Sequence, residues 1–128
     1  MSAWVVVAAV VAGALGALAR YGVTRVVAAR LPADRLSRAV LIVNVAGSVI
    51  AGALLAVPGD LQYIVVGGFC GGLTTFSTWS VETVQLFVDG KSSNAIGNVV
   101  VNLAAGTLGA VVAFVTTGLV VVALNGAI

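Results

Sequence analysis

Uncharged runs separated by short charged segments dominate the pattern of the chain. Four such runs cover residues 3–19, 39–59, 61–81 and 92–128. Each run is continuously apolar, and roughly 20 apolar residues are enough for a helix to cross the hydrocarbon core of a bilayer. The pattern therefore predicts four transmembrane helices, the last with a tail. It does not favour a β-barrel, whose strands alternate apolar and polar residues.

Composition indicates the same class of protein. Of the 128 residues, 61% are hydrophobic and 8% are charged, and the mean hydropathy is +1.20. A soluble domain of this length has too little interior to bury so much apolar surface, so the expected solvent is lipid. We predict an all-α membrane protein in which residues 1–128 form a single four-helix transmembrane domain. A signal peptide is the alternative for the first run, but no basic segment precedes it.

Several chemistries lack the residues that they need. The chain has no histidine, and its one cysteine, Cys70, can form neither an internal disulfide nor a thiolate metal cluster. The net charge of +2 comes from arginines between the apolar runs, a distribution that does not indicate nucleic-acid binding. We expect no enzymatic activity and no organic cofactor, because no paired spacing occurs among the acidic residues, which are Asp34, Asp60, Glu82 and Asp89.

Polar residues inside the runs are the first candidates for function. Asn44 is the strongest polar group of the second run, with Ser48 one turn later on the same face. A buried amide in lipid needs a protein partner or water, so these residues either join helices or line a polar path. The last run has a comparable stripe at intervals of four, in which the first residue can instead cap the helix: Asn94, Asn98, Asn102 and Gly106.

The first run contains glycines in its second half, and an arginine follows it. Gly13 and Gly16 are typical of close packing between membrane helices. Arg20 lies past the run, where an arginine either extends to the lipid headgroups or lines an aqueous entrance.

The centre of the third run is unfavourable for a continuous helix. Gly71 is its middle residue, followed by Gly72, Thr74 and Thr75, and a glycine costs about 1 kcal/mol relative to alanine inside a helix. We predict that the third helix is broken near the bilayer midplane. The alternative is an intact helix whose glycines allow close packing. A break would present carbonyl oxygens to a small hard cation such as sodium, and amide groups to an anion.

Two aromatic residues follow the predicted break. Phe76 and Trp79 are three residues apart and share one helix face, with Ser77 and Ser80 beside them. An aromatic ring has a negative face and a positive edge. Rings turned edge-on can therefore help a small anion to lose water without a fixed cation that would trap it.

Three segments together carry a family resemblance. The segments "GFCGGLTTFSTWSVE" (68–82), "GALGALARYG" (13–22) and "VNVAG" (43–47) resemble the Fluc (CrcB) family of fluoride channels. The resemblance implies a passive fluoride-selective channel that lets cytoplasmic fluoride leave the cell and so confers fluoride resistance. It also implies an antiparallel dual-pore dimer and a structural sodium ion, held by main-chain oxygens at the helix break.

The resemblance also assigns roles to individual residues. It implies that the backbone carbonyls of Gly71 and Thr74 bind the sodium ion and that Arg20 lies in a vestibule. The implied fluoride pore consists of Phe76, Trp79, Asn44, Ser77, Thr78, Ser80 and Asn102. Three positions depart from the family pattern and change the proposed path: Trp79 where phenylalanine is usual, Val40 where threonine is frequent, and Asn102 where serine is frequent.

Basic residues are distributed unevenly between the two sides of the predicted membrane domain. With four spans, the first and third loops share one side, and the other side has Asp60 but no lysine or arginine. The positive-inside rule then predicts a multi-pass plasma-membrane protein in one orientation, with both termini outside. An antiparallel partner is either a second copy or an oppositely oriented relative. The basic residues of the first side are Arg20, Arg25, Arg30, Arg35, Arg38 and Lys91.

Two other functions fit a chain of this size. A small multidrug-type antiparallel transporter needs a carboxylate well inside a span to exchange a proton for its substrate. Here Glu82 lies at the predicted end of the third span, and the other runs have no carboxylate. A non-conducting membrane scaffold, or the non-conducting subunit of a paired fluoride channel, would keep the same motifs.

Overall fold

The computed structural model describes residues 2–30 and 37–126, and all regular structure in them is helical. Helices α1 and α2 span Ala3–Arg30 and Ser37–Leu55. The third span is divided into two helices. The first, α3, comprises the consecutive segments Asp60–Gln62, Tyr63–Cys70 and Gly71–Leu73, and the second, α4, spans Phe76–Val88. The segment Tyr63–Cys70 is π-helical, and the last helix, α5, spans Ser92–Asn125.

Within the described residues, four spans are long and apolar enough to cross a membrane, in agreement with the four membrane-spanning helices that the sequence predicts. Many large apolar side chains lie on the surface, such as Val10, Leu108 and Val122, which are 68%, 65% and 71% exposed. Lipid accepts such surfaces, whereas in water they would drive association.

Two helices extend past the carboxyl ends of the uncharged runs. Helix α1 continues to Arg30, so Arg20 lies within the helix rather than past its end. The helix of the third span continues to Val88, so Glu82 lies six residues before the end of that helix. Charged residues near the end of a long helix can reach the headgroups, which is why counting uncharged residues underestimates span length. Arg35, one of the basic residues of the first loop, lies outside the described residues.

Glycines bring α1 and α3 into direct backbone contact. A Cβ on Gly16 would clash with the carbonyl of Phe69, and a Cβ on Gly72 would clash with the carbonyl of Gly13. Such close approach is how small residues associate membrane helices. The predicted packing role of Gly13 and Gly16 is confirmed, and Gly72 has the same role.

The third span is interrupted at Thr74 and Thr75. Both residues are extended, with ψ angles of 158° and 117°, and the span bends by 28°. Thr74 is the central residue of Asp60–Val88, so the predicted break in the middle of the third helix is confirmed. Its position differs slightly from expectation, because Gly71 and Gly72 are helical and the chain leaves the helix after them.

Helix α2 packs along α5 and brings their polar faces together. A Cβ on Gly52 would clash with the backbone of Ala110, and a Cβ on Gly106 would lie 3.3 Å from the Ser48 Oγ. This contact sets the Asn44 face of α2 against the amide stripe of α5.

Helix α4 is followed by a tight turn into α5. The Lys91 N–H donates to the Leu86 carbonyl at 2.8 Å, and the Gly90 N–H donates to the Phe87 carbonyl at 3.1 Å. These two bonds form a Schellman motif, which requires the left-handed conformation that Gly90 adopts at a φ of 74°. The turn places the beginning of α5 beside the end of α4.

Candidate functional site

Asn44 joins α2 to the break in the third span. Its Oδ1 accepts a hydrogen bond from the Thr75 backbone N–H at 2.8 Å, and its Nδ2 donates to the Thr75 carbonyl at 3.2 Å. Thr75 is 6% exposed, and an unpaired buried backbone group costs about 1–3 kcal/mol. Asn44 therefore stabilises the break, in agreement with the interpretation of this amide as a group that joins helices. A role of Asn44 in conduction stays a prediction.

Thr75 begins the second half of the span as the N-cap of α4. Its Oγ1 accepts a hydrogen bond from the Thr78 backbone N–H at 3.2 Å, the arrangement that makes threonine favourable at helix starts. The same hydroxyl donates to the Thr78 Oγ1 at 3.0 Å. The sequence pattern marks Thr75 only as part of the break, so this capping role was missed. The available signal was the preference for a hydroxyl residue directly before a helix.

A series of side-chain hydrogen bonds leads away from Asn44. Its Nδ2 donates to the Asn102 Oδ1 at 3.1 Å, and the Asn102 Nδ2 donates to the Asn98 Oδ1 at 3.4 Å. The Asn98 Nδ2 donates in turn to the Thr83 Oγ1 at 3.0 Å, and that hydroxyl donates to the Trp79 carbonyl at 2.8 Å. The series connects α2, α5 and α4, and it contains two of the four residues of the stripe predicted on the last helix.

The amides differ in the number of N–H donors that they have left. A side-chain amide carries two such donors. Asn44 uses both, one on the Thr75 carbonyl and one on Asn102. Asn98 and Asn102 each use one on the described residues. In this arrangement an anion would find a spare donor on Asn98 and Asn102 rather than on Asn44.

The two aromatic rings lie on one face of α4. Their centroids are 5.3 Å apart, with an angle of 54° between the ring planes. Phe76 is 76% exposed, whereas Trp79 is half-buried and its Nε1 donates to the Asn98 carbonyl at 3.3 Å. A phenylalanine at position 79 would lack this donor. The Trp79 ring is therefore fixed against α5, while the Phe76 ring projects from the chain.

The hydroxyl groups expected in the pore lie beside the two rings along the first turns of α4. Ser77 and Thr78 are exposed, and the Ser80 Oγ donates to the Phe76 carbonyl at 2.9 Å within its own helix. None of these three residues lines either of the two grooves near the break. Their assignment to the fluoride path stays a prediction.

A groove of about 390 Å³ lies beside the break. It brings together four of the predicted pore residues with neighbouring hydroxyl groups, and its lining includes Asn44, Phe76, Trp79, Asn102, Ser48 and Thr107. A second groove, of about 300 Å³, lies nearer the start of α2, and its lining includes Arg38, Asn94, Asn98 and Asn102. Asn102 lines both grooves, so the two adjoin.

Three other sequence-based expectations concern residues near these grooves. Arg20 lines neither groove, and its vestibule role stays a prediction. Val40 is buried and also lines neither groove, so the proposal that this departure changes the path finds no support here. Asn94 does not cap α5, because Lys91 is the N-cap residue and no side-chain cap bond forms there.

Two carbonyl groups at the break lose the donors that a continuous helix would supply. The Thr75 and Thr78 N–H groups would bond to the carbonyls of Gly71 and Thr74 in an α-helix. They bond instead to the Asn44 side chain and to the Thr75 hydroxyl. Gly71 is exposed, and a Cβ added there would meet no atom closer than 4.0 Å. The two carbonyls of the predicted sodium site are thus available as ligands.

The described residues contain no group of three or more histidine, cysteine, aspartate or glutamate residues that could hold a metal ion. A cation bound in this part of the chain would therefore have main-chain oxygens as its ligands. Glu82 is half-buried, and its Oε2 has no hydrogen-bond partner among the described residues.

Residues 7–118 match the family model described as "CrcB-like protein, Camphor Resistance (CrcB)". The fluoride-specific ion channel FluC 1 of Nocardia farcinica (strain IFM 10152) is 42% identical over 106 residues, which are 81% of this chain and 73% of that protein. FluC 1 of Thermobifida fusca (strain YX) is 41% identical over 110 residues, 84% of this chain and 91% of that protein. The fluoride-specific ion channel FluC of Syntrophotalea carbinolica (strain DSM 2380 / NBRC 103641 / GraBd1) is 42% identical over 98 residues, with shares of 71% and 79%.

Proposed function

The chain belongs to the CrcB family, and on this premise we propose that it is a fluoride-specific ion channel through which cytoplasmic fluoride leaves the cell down its gradient. The names of the relatives support fluoride as the permeant ion. The observation in this chain that carries the proposal is the exposed ring of Phe76, which stands at the helix break on the edge of a groove with amide and hydroxyl groups.

The groove at the break suits an anion that must pass without being trapped. Its lining among the described residues has no charged side chain. Phe76 supplies a ring with a partly positive edge, and Asn102 supplies an N–H that no described residue accepts. Such neutral donors replace part of the hydration shell of a small anion. Conduction requires binding that is favourable enough for entry yet weak enough for exit.

A structural sodium ion is the cofactor of the proposed channel. The carbonyls of Gly71 and Thr74 fit it, because their helical donors bond elsewhere and hard cations prefer oxygen ligands. When bound, the ion would neutralise the partial negative charge at the carboxyl end of α3. A twofold-related partner would bring two further carbonyl groups to the same ion.

An antiparallel dimer with two pores is the proposed assembly. Phe76 and Gly71 are both exposed in the single chain and belong to the surface that a partner would cover. The partner is a second copy or an oppositely oriented relative. The distribution of basic residues favours the relative, since a chain with lysine and arginine on one side alone inserts in one orientation. The proposed location is the plasma membrane, with the basic side in the cytoplasm and both termini outside.

A small multidrug-type transporter is the alternative that one observation favours. Glu82 lies inside the third span with a buried carboxylate oxygen that no described residue bonds, and proton-coupled exporters use such a carboxylate. A transporter of this kind would lose its activity in Glu82→Gln. A passive channel needs no proton exchange, so it would still conduct. The other alternative is a subunit that does not conduct beside a conducting partner.

Efflux from liposomes distinguishes these three functions. The purified chain is reconstituted into liposomes loaded with potassium fluoride, valinomycin balances the charge, and a fluoride electrode follows the efflux, with chloride-loaded liposomes as the control. We expect fluoride to leave without a pH gradient, chloride to stay, and Glu82→Gln to conduct. Efflux that requires a pH gradient and is lost in Glu82→Gln would support the transporter. An inactive chain that conducts only after an oppositely oriented relative is added would support a paired channel.

A further inference from the structure

The second groove has a charge that the groove at the break lacks. Arg38 lies in its wall, together with Asn94 and Asn98, and Arg38 is the one charged residue of its described lining. Leu86, from the last turn of α4, also lines the groove. The groove therefore lies at the end of the bundle where α4 ends and where α2 and α5 begin.

The start of α5 adds to the positive potential of this groove. Asn94 is the third residue of Ser92–Asn125. A helix N-terminus carries about half a unit of positive charge, since its first backbone N–H groups have no helical partner. The start of α5 has no side-chain cap, and its N-cap residue is Lys91, a further cation. All of these features favour an anion.

The groove at Arg38 leads to the groove at the break through amide donors. Asn102 lines both. Asn98 and Asn102 each spend one N–H on the described residues and keep a second. An anion drawn in at Arg38 would meet Asn94, then Asn98, then Asn102, before it reached the exposed ring of Phe76. The amides recur at every fourth position of α5, so they form one continuous row.

From this arrangement we propose that the groove at Arg38 is an anion entrance, and that Arg38 is the cation that draws fluoride into it. The identity of the anion rests on the proposed function. The positive charge of the groove does not depend on that function, since it rests on Arg38, on the start of α5 and on Lys91 beside it. Because the basic side of the chain is the proposed cytoplasmic side, this entrance would serve fluoride that leaves the cell. Arg20, the vestibule residue that the family resemblance implies, lies on another helix and lines neither groove.

The first test compares fluoride efflux at low and high ionic strength. Arg38→Gln removes the charge, Arg38→Lys keeps it, and Arg25→Gln removes a charge from the exposed surface of α1. We expect Arg38→Gln to slow efflux about fivefold in about 10 mM salt, because one unit charge at close range has about this effect in water. The difference should vanish near 1 M salt, where the screening length is about 3 Å. Arg38→Lys and Arg25→Gln should conduct normally at both concentrations.

A second variant covers the case in which Arg38→Gln does not fold. Asn94→Asp keeps the shape of the side chain and adds a negative charge to the groove. We expect it also to slow efflux at low salt and to recover at high salt. Normal efflux at low salt from every folded variant, Arg38→Gln or Asn94→Asp, would overturn the proposal.

The second test does not require fluoride to be the permeant ion. Asn94→Cys places a thiol in the groove, and its reaction rates with an anionic and a cationic methanethiosulfonate reagent are compared, with the parent chain as the background for Cys70. We expect the anionic reagent to be favoured and Arg38→Gln to reduce this preference about fivefold. An unchanged preference would overturn the proposal. If the preference for the anionic reagent depends on Arg38 but the parent chain shows no fluoride efflux, the anion entrance is supported and the proposed function is contradicted.

Discussion

Asn44 and Thr75 are joined by two hydrogen bonds, so that one side-chain amide pairs both backbone groups of the residue at the helix break. The pairing resembles that between two peptide groups of neighbouring strands. It allows the third span to leave the helical conformation at membrane depth, where backbone groups without partners are not tolerated.

Asn44→Ala should destabilise the protein, because it leaves the N–H and carbonyl of Thr75 unpaired. At about 1–3 kcal/mol for each group, we expect the midpoint of thermal unfolding in detergent to fall by several degrees. Ser48→Ala is the matched control, since Ser48 lies one turn further along α2 and lines the same groove. Equal midpoints for Asn44→Ala and the parent would contradict the structural role.

Thr75→Ala should remove the N-cap of α4, whereas Thr75→Ser should keep it. Loss of such a cap costs about 0.5–2 kcal/mol, since the Thr78 N–H loses its acceptor. The free energy of unfolding, measured in mixed micelles with a denaturant, checks this expectation. The prediction fails if serine and alanine at this position are equally destabilising.

Phe76→Ile should preserve folding and reduce fluoride efflux by at least about tenfold. The ring is exposed in the single chain, so its loss leaves no cavity inside the protomer, whereas the partly positive edge offered to the anion disappears. A loss of 1.4 kcal/mol in the barrier region corresponds to about tenfold in rate. Efflux and the elution volume in size exclusion are measured on the same preparation. An aggregated or unassembled variant would show that the ring packs against a partner instead.

Replacement of sodium by N-methyl-D-glucamine should destabilise the assembly if a cation binds the carbonyls of Gly71 and Thr74. We expect the unfolding midpoint to fall by about 4 °C for each 1 kcal/mol lost, and sodium to restore it. Thr74→Ser should respond to sodium like the parent, because the proposed ligand is a backbone atom. A midpoint that does not depend on sodium, or a high-resolution map without density at these carbonyls, would exclude the site.

The carboxyl terminus should lie on one side of the membrane only, the side opposite the basic residues. A reporter active only in the cytoplasm and one active only outside are fused to it in separate chains. We expect signal from the outside reporter alone, because lysine and arginine near short loops determine orientation. Equal signals would show dual insertion. Strong efflux from a purified homodimer would remove the need for an oppositely oriented relative.

The sequence alone determined the number of spans and the region of the break. Four apolar runs, each long enough for the bilayer, leave little choice, because backbone groups in lipid must be satisfied within each helix. The segment from Gly71 to Thr75 stood out for a local reason, since glycine and threonine weaken a helix wherever they occur. The family resemblance rested on the segments 13–22, 43–47 and 68–82 and is confirmed by the match over residues 7–118.

The tertiary structure decided which residue of that segment breaks the helix and what each amide does. Gly72 lies within the helix and directly against the backbone of α1, and the chain can open at Thr75 because Asn44, from another helix, pairs its backbone. Likewise, Asn44, Asn98 and Asn102 look alike as polar residues in apolar runs. Which of them keeps a free donor depends on partners up to 58 positions away. Contacts between distant segments set these roles, and periodicity within a helix does not record them.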